Sequence, residues 1–148
     1  QAEADLQQAL EYRPNQAHVL NYLGYSMIEK EDSPEKLDEA LGMIERAVAA
    51  QPNSGYIVDS LGWVLYRLGR YDEAVGHMEK AVERMPIDPI VNDHLGDVYW
   101  MVGRFHEARF QWQRALSFDP EEAEAERIRR KLDVGLDVVL AEEAANDD

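Results

Sequence analysis

Apolar residues recur at every third or fourth position along most of the chain, in short runs that polar turns separate. They form one face of a predicted helix in the stretch 55–68 and of a second one in the stretch 71–84. The segment between them, GRYD at residues 69–72, begins with a glycine of the kind that ends helices. Prolines at 86 and 89 mark the next junction, because proline ends one helix and readily starts another. The pattern therefore predicts a pair of antiparallel helices.

The same pattern returns at a fixed offset along the chain. Residues 59–74 read DSLGWVLYRLGRYDEA and residues 93–108 read DHLGDVYWMVGRFHEA, with eight of the sixteen paired positions identical. An earlier copy is centred on Gly24, and its four additional residues fall in the polar stretch EKEDSPEK. A fixed period of this length is typical of proteins built from stacked helix pairs. The predicted fold class is therefore all-α, an α-α superhelix (solenoid) of antiparallel helix pairs.

Two glycines lie in the interior of predicted helices. Gly62 and Gly96 each cost about 1 kcal/mol there relative to alanine. We expect close approach of the neighbouring helix to offset this cost, at alanines such as Ala74. Large residues at matched positions, Met78 and Trp112, are expected to fill the core beside them. The repeat then exists because one helix pair cannot bury its own apolar face.

Both ends of the chain depart from the repeat. Residues 1–16 fit only the second half of a unit. We therefore expect a piece of a longer repeat protein, whose orphan helix is poorly ordered or is covered by a second copy in a homodimer. Residues 121–134 carry acids first and bases last, which complements a helix dipole and predicts a capping helix. Residues 135–148 form an acidic tail, with a last short helix predicted around the aliphatic residues Leu136, Val139 and Leu140.

The spacing of small and large residues resembles that of the tetratricopeptide repeat over roughly residues 1–122. In the unit 55–88 the characteristic positions hold Leu61, Gly62, Leu65, Ala74, Ala81 and Pro86. In the unit 89–122 they hold Leu95, Gly96, Tyr99, Ala108, Ala115 and Pro120. The unit 17–54 has a longer loop between its helices and Met27 at the aromatic position. The resemblance implies one half repeat, three full repeats and a single domain that ends with the capping helix at residue 134.

The resemblance also implies that the first helix of each unit lines a concave groove for a protein or peptide partner. The residues that flank each Leu-Gly pair are mainly aromatic and acidic. Those predicted to contact a partner are Asn21, Tyr25, Tyr56, Asp59, Trp63, Tyr66, Arg67, Asp93, His94, Asp97 and Trp100. Tyr and Trp side chains offer a large contact area to a partner and lose little rotamer entropy on binding. The carboxylates favour a partner that carries Lys, Arg or a free amine.

Packing explains some of these aromatic residues equally well. Tyr66 and Trp100 occupy a position that is often aromatic in the family, where the ring packs between neighbouring units. Trp63 is less expected at its position and is favoured as a ligand contact. Trp112, in contrast, is assigned to the core.

The polar positions do not predict a metal or catalytic site. Adjacent residues diverge by about 100° on a helix, so Asp93, His94 and Asp97 lack a third ligand on one side and are interpreted as solvated groove residues. Some members of the family hold a chaperone's carboxyl end with a clamp of Lys, Arg and Asn. The corresponding positions here do not form that clamp, since they hold Asn21, Tyr25, Ser60, Ile90 and His94.

Charge and composition narrow the function further. Thirty Asp plus Glu stand against fifteen Lys plus Arg, giving a net charge of −15, which argues against nucleic-acid binding and favours a basic or apolar partner. The acidity also fits a role in solubility alone. Cysteine is absent, and no apolar run approaches the length of a membrane span. We find no nucleophile–base pair, phosphate-binding loop or metal set, so the sequence predicts neither an enzyme nor a cofactor.

The sequence is best explained by a non-enzymatic adaptor that binds a partner segment in an aromatic, acidic groove. The alternative is a structural spacer or self-association module of a longer protein whose binding surface lies upstream. The repeats also look similar to the last repeats of long bacterial tetratricopeptide proteins, some of which are lipid-anchored periplasmic adaptors for a processing protease. That likeness favours a periplasmic over a cytoplasmic setting, with the protease or its substrate as partner.

Overall fold

The computed structural model describes residues 16–30 and 33–146, and over this part of the chain it contains helices and no strand. In chain order the helices are α1 (Ala17–Lys30), α2 (Pro34–Ala50), α3 (Gly55–Arg67), α4 (Tyr71–Arg84), α5 (Pro89–Met101), α6 (Phe105–Ser117), α7 (Glu122–Val134) and α8 (Leu136–Asn146). The predicted all-α fold of helix pairs is confirmed. None of these described helices is both long enough and apolar enough to cross a lipid bilayer.

Local side chains explain where the helices begin and end. Ser54 Oγ accepts a hydrogen bond from the N–H of Ile57 at 3.4 Å, and Asp88 Oδ1 accepts one from the N–H of Val91 at 3.0 Å. Each bond satisfies a backbone donor that the first helical turn leaves unpaired. Gly69 follows the end of α3 with φ of 80°, a left-handed conformation that favours glycine. The predicted turn after α3 is therefore present, but it is shorter than residues 69–72, because α4 begins at Tyr71.

The chain divides into two compact units between residues 85 and 86. In the N-terminal unit, residues 1–85, neighbouring helices from α1 to α4 pack in order, and α1 also contacts α3. In the C-terminal unit, residues 86–148, α5 packs against α6, α6 against α7 and α7 against α8. Grouping all repeats into one domain stays a prediction. The helix predicted within residues 1–12, with its expected self-association, lies outside the described residues.

The second helix of each pair buries a large side chain between two alanines. The alanine pairs, all fully buried, are Ala40 and Ala47, Ala74 and Ala81, and Ala108 and Ala115. The large side chains between them, also fully buried, are Ile44, Met78 and Trp112. The alternation of small and large side chains lets each helix approach its partner closely while filling the space between them.

Gly62 and Gly96 lie inside α3 and α5, against the second helix of their own pair. A Cβ atom at Gly62 would lie 2.7 Å from Met78 Cγ. One at Gly96 would overlap the indole of Trp112 and lie 3.1 Å from the carbonyl oxygen of Ala108. The predicted close approach is present, and at Gly96 it involves Ala108, but the nearest atoms belong to the large side chain of the opposite helix. The large side chain between the alanines enters the space that glycine leaves open.

The last stretch of the chain, predicted as an acidic tail, is largely helix α8. Leu136 and Val139 are buried in the C-terminal unit, at 0% and 3% exposed. The short helix predicted around these aliphatic residues is therefore present, and it is an integral part of the unit.

Candidate binding surfaces

The first helices of the N-terminal unit carry aromatic rings at the predicted groove positions. Tyr22 on α1 is 55% exposed and Tyr56 on α3 is 64% exposed. Trp63 is partly exposed and stacks on Tyr66, with ring centroids 4.4 Å apart and planes 10° from parallel. Tyr66 itself is buried and also meets the edge of Tyr71 at 5.6 Å. Tyr66 is thus mainly a packing residue in this unit, while Tyr56 and Trp63 present ring surface to solvent.

An open depression of about 460 Å³ lies along α1. Its lining includes two predicted contact residues, Asn21 and Tyr25, and the full set is His18, Asn21, Tyr22, Tyr25, Ser26, Glu29 and Lys30. The Oδ1 atom of Asn21 is buried and accepts no hydrogen bond within the described part of the chain. The exposed ring of Tyr22 offers contact area to a ligand in this depression.

Two polar residues predicted in this groove have positions that the sequence did not indicate. Asp59 is only 6% exposed, so little of its carboxylate reaches solvent, and its role as a partner contact stays a prediction. Arg67 Nη1 donates a hydrogen bond to the carbonyl oxygen of Ile28 at 2.8 Å, near the end of α1. The carbonyls of a last helical turn lack intrahelical donors, so Arg67 joins α3 to α1.

The acidic residues of the C-terminal unit form a buried cluster around Lys131 of α7. Lys131 Nζ donates to Asp93 Oδ1 at 2.5 Å and to Asp97 Oδ1 at 2.7 Å. The indole Nε1 of Trp112 donates to the same Asp97 oxygen at 3.0 Å. Lys131 is fully buried, and Asp93, Asp97 and His94 are 6%, 1% and 7% exposed. The interpretation of the three α5 residues as solvated groove residues is therefore wrong, because α7 supplies the cation that covers the carboxylates.

Burial and charge shift the titration of this cluster. Burial raises the pKa of Asp93, and repulsion by Asp97 raises it further against the attraction of Lys131. Burial alone would lower the pKa of Lys131, but attraction by Asp97 and Asp93, with their hydrogen bonds, raises it above its ordinary value. Lys131 is therefore charged at neutral pH. Among the described residues, no group of three or more His, Cys, Asp or Glu side chains could hold a metal ion.

Trp100, the last predicted groove residue, is covered by the turn between α7 and α8. Its Nε1 donates to Asp137 Oδ1 at 2.6 Å. A Cβ atom at Gly135 would lie 2.8 Å from Trp100 Cζ2, so the backbone of this turn lies directly against the indole. The ring also contacts Phe105 and Trp112, with centroid distances of 4.4 and 5.5 Å. Trp100 thus lies among side chains and backbone of its own unit.

Three functional side chains were missed by the sequence analysis: Arg127, Lys131 and Asp137. A signal for two of them was present. Arg127 and Lys131 follow Asp93 and Asp97 by one repeat length. On α7 they therefore occupy the positions that correspond to the predicted contact positions of the first helices. We interpreted these bases only as complements to a helix dipole, because the small-residue pattern ends before α7. No pattern in the sequence indicated Asp137.

Comparison with known proteins matches one helix pair to a known repeat. Residues 58–88 match the family model described as tetratricopeptide repeat. A segment of 70 residues is 36% identical to the TPR repeat-containing protein PA4667 of Pseudomonas aeruginosa. That segment is 47% of this chain, yet it spans only 11% of the Pseudomonas protein.

Solved structures share the arrangement of helix pairs. TTC0263, a thermophilic TPR protein of Thermus thermophilus, aligns with a TM-score of 0.73 and 21% identity, covering 91% of this chain and 71% of that chain. A structure of MamA aligns with a TM-score of 0.70 and 17% identity, covering 99% and 89%. The MamA AMB-1 structure reaches 26% identity with a TM-score of 0.65, covering 79% and 67%. At these identities the first two likenesses show the fold alone.

Proposed function

We propose that this chain, whose helix pairs are tetratricopeptide repeats, is a non-enzymatic adaptor that binds a partner segment on the aromatic face of α1 and α3. The fold is that of protein–protein interaction scaffolds. The observation that carries the proposal is the open depression on α1, with exposed Tyr22 beside it and the exposed ring of Tyr56 on α3. Exposed Tyr and Trp side chains are frequent anchors of protein interfaces.

The chemistry of this face favours a segment with apolar side chains. The exposed rings of Tyr22 and Tyr56 supply the contact area. The net charge of −15 favours a basic partner through its long-range field. The carboxylates of Asp59, Asp93 and Asp97 are buried, so we assign the preference for basic partners to this field and not to these three contacts.

A test compares aromatic residues on the two kinds of helix. We expect Tyr56→Ala and Trp63→Ala each to weaken partner binding by at least about 1 kcal/mol, about fivefold in affinity. Phe110→Ala is the matched control, since Phe110 is 55% exposed but lies on α6, a second helix. Binding would be measured by titration with a partner first captured by photo-crosslinking at position 56. Thermal unfolding of each variant separates lost contacts from lost folding.

A structural spacer is the second candidate, and one observation favours it. Asp97 and Trp100 of α5 are contacted by the unit's own α7 and α8, as expected of a unit that binds no external ligand at these positions. Under this function both α3 variants would bind every partner of the full-length protein as the parent chain does. A periplasmic setting, suggested by resemblance, stays a proposal that fractionation of the source cells would test.

A further inference from the structure

Helix α8 lies across the positions of the C-terminal unit where a partner was expected. At its start, Asp137 accepts the hydrogen bond of the Trp100 indole at 2.6 Å. Near its end, Glu143 accepts two hydrogen bonds from Arg127, at 2.6 and 3.0 Å. Arg127 lies at the repeat position that corresponds to Asp93, one of the predicted contact positions. The last helix therefore touches a predicted contact residue, Trp100, at its start and an equivalent repeat position on α7 near its end.

The helix has the pattern of a bound amphipathic peptide. Leu136 and Val139 are buried, at 0% and 3% exposed, while Val138 on another side is 41% exposed. Each acid of α8 has a partner outside the helix: Asp137 meets Trp100, Glu143 meets Arg127, and Glu142 accepts from Arg130 at 2.6 Å. The helix carries no basic residue. Apolar anchors at helical spacing with acids beside them are how a helix lies in a groove.

Helix α7 carries a run of basic residues, and two of them face α8. Residues 127–131 read RIRRK, so four of the fifteen Lys and Arg residues fall in five positions. Three of the four, Arg127, Arg130 and Lys131, pair with carboxylates of α8 or of α5. A basic run in a chain with a net charge of −15 is complementary to an acidic segment.

Two of the polar contacts that hold α8 are exposed to solvent. A helix of 11 residues is marginal on its own in water, so it depends on its contacts. The Arg127–Glu143 pair is 31% and 46% exposed and the Arg130–Glu142 pair is 47% and 44% exposed. Exposed pairs of this kind contribute little each. A longer helix with the same pattern would make more contacts with the same surface.

We propose that α8 is an intramolecular occupant of a second binding surface, built from Trp100 of α5 and from Arg127 and Arg130 of α7. The external ligand of this surface is an acidic amphipathic helix of a partner protein, which displaces α8. This surface shares no residue with the aromatic face of α1 and α3 and selects the opposite charge.

The test loosens α8 in the full chain and supplies its sequence in trans. The loosened variant carries Asp137→Asn, Glu142→Gln and Glu143→Gln, which remove the charges but keep the buried aliphatic residues. The probe is a fluorescent peptide, LDVVLAEEAANDD, residues 136–148. We expect the loosened chain to bind it at least tenfold more tightly than the parent chain. Adding Arg127→Ala and Arg130→Ala should reverse that gain.

Arg129→Gln in the loosened chain is the matched control. Arg129 belongs to the same basic run, but it pairs with Glu122 of its own helix. We expect this variant to bind the peptide within twofold of the loosened chain. A peptide of scrambled order should not bind, because its apolar residues lose their common face.

Hydrogen exchange decides the remaining outcomes. We expect α8 amides to exchange at least tenfold faster in the loosened chain, with α5 and α6 unchanged. Unchanged α8 exchange, or faster exchange without peptide binding, would overturn the proposal. Equal binding by the parent and loosened chains would overturn it too, as would binding that ignores Arg127 and Arg130. If the triple variant loses protection in α5, Asp137→Ala alone, which removes the acceptor of the Trp100 N–H, replaces it with the same expected outcomes.

Discussion

The hairpins α3–α4 and α5–α6 share one framework, yet they place their indoles at different positions. In α3–α4 the core position between the alanines holds Met78, and Trp63 lies on the outer face and stacks on Tyr66. In α5–α6 the same core position holds Trp112, and the position of Trp63 is taken by Asp97. A buried indole needs an acceptor for its N–H group, and Asp97 provides it at 3.0 Å. Methionine needs none.

The two differences between the hairpins are therefore coupled by one hydrogen bond. Once Asp97 lies in the core, it and Asp93 require a cation, and Lys131 of α7 supplies it. As a result, the equivalent face is partly exposed and aromatic in one hairpin and closed by the chain itself in the other. Variation between repeats at a position is therefore not enough to identify that position as a binding position.

Of the changes that test the difference between the two hairpins, removal of the Lys131 ammonium group should have the largest effect on stability. Lys131→Met leaves two carboxylates buried without their partner, and we expect the free energy of unfolding to fall by about 3–5 kcal/mol. Denaturant unfolding measures it. Arg129→Met is the control, because its pair is 56% and 76% exposed and should contribute less than about 1 kcal/mol. Adding Asp93→Asn and Asp97→Asn should recover much of the loss. A loss for Lys131→Met no larger than that of Arg129→Met would contradict the account.

Loss of the hydrogen bond from Trp112 to Asp97 should have the second-largest effect, and it should distinguish the core of α5–α6 from that of α3–α4. Trp112→Phe keeps a ring in place but removes the donor to Asp97, and we expect a loss of about 2 kcal/mol, since the acceptor is charged. Met78→Leu, the equivalent change in the other hairpin, should cost less than about 1.5 kcal/mol because it alters only shape. Thermal unfolding of both variants measures the difference. A larger loss for Met78→Leu than for Trp112→Phe would show that the bond does not separate the two cores.

Glycine substitutions should give a smaller, graded series. Gly96→Ala would drive a methyl group into a rigid indole and against the Ala108 carbonyl, and we expect a loss of about 1–3 kcal/mol. Gly62→Ala should cost less, because the flexible side chain of Met78 can move aside. A methyl group at Gly76 on α4 would meet no atom within 4 Å, so Gly76→Ala should stabilise the helix by up to about 1 kcal/mol. Equal losses at Gly62 and Gly96 in urea titrations would argue against this ranking.

A decrease in pH should produce the smallest of these effects on stability. Burial and Asp97 raise the pKa of Asp93 in the folded chain. The folded chain therefore binds the proton of this carboxyl more tightly than the unfolded chain does. The contribution of Asp93 to stability is therefore full below its ordinary pKa and is lost as the pH rises through the raised value. We expect the wild-type chain to gain stability relative to Asp93→Asn as the pH falls from 7 to 4. A difference that stays constant over this range would mean that Asp93 titrates as in the unfolded chain.

The framework followed from the sequence because its causes are local. The spacing of Leu61, Leu65 and Leu68 fixes one face of a helix, and Gly69 ends it in a conformation other residues avoid. The helix that ends the chain was also predicted, from its aliphatic spacing. The glycine contacts were predicted only in part. Spacing locates Gly62 in a tight place, but it does not say which side chain of the opposite helix enters that place.

The sequence by itself determined that this protein consists of helix pairs repeated at a fixed spacing, and which small residues lie between them. Only the tertiary structure decided which polar and aromatic residues face solvent. Asp97 and Trp63 occupy the same repeat position, but one is 1% exposed and the other is partly exposed. The physical reason is that a buried charge depends on a partner distant in sequence, here Lys131 on another helix. Periodicity describes one helix at a time, whereas an ion pair requires that two helices meet.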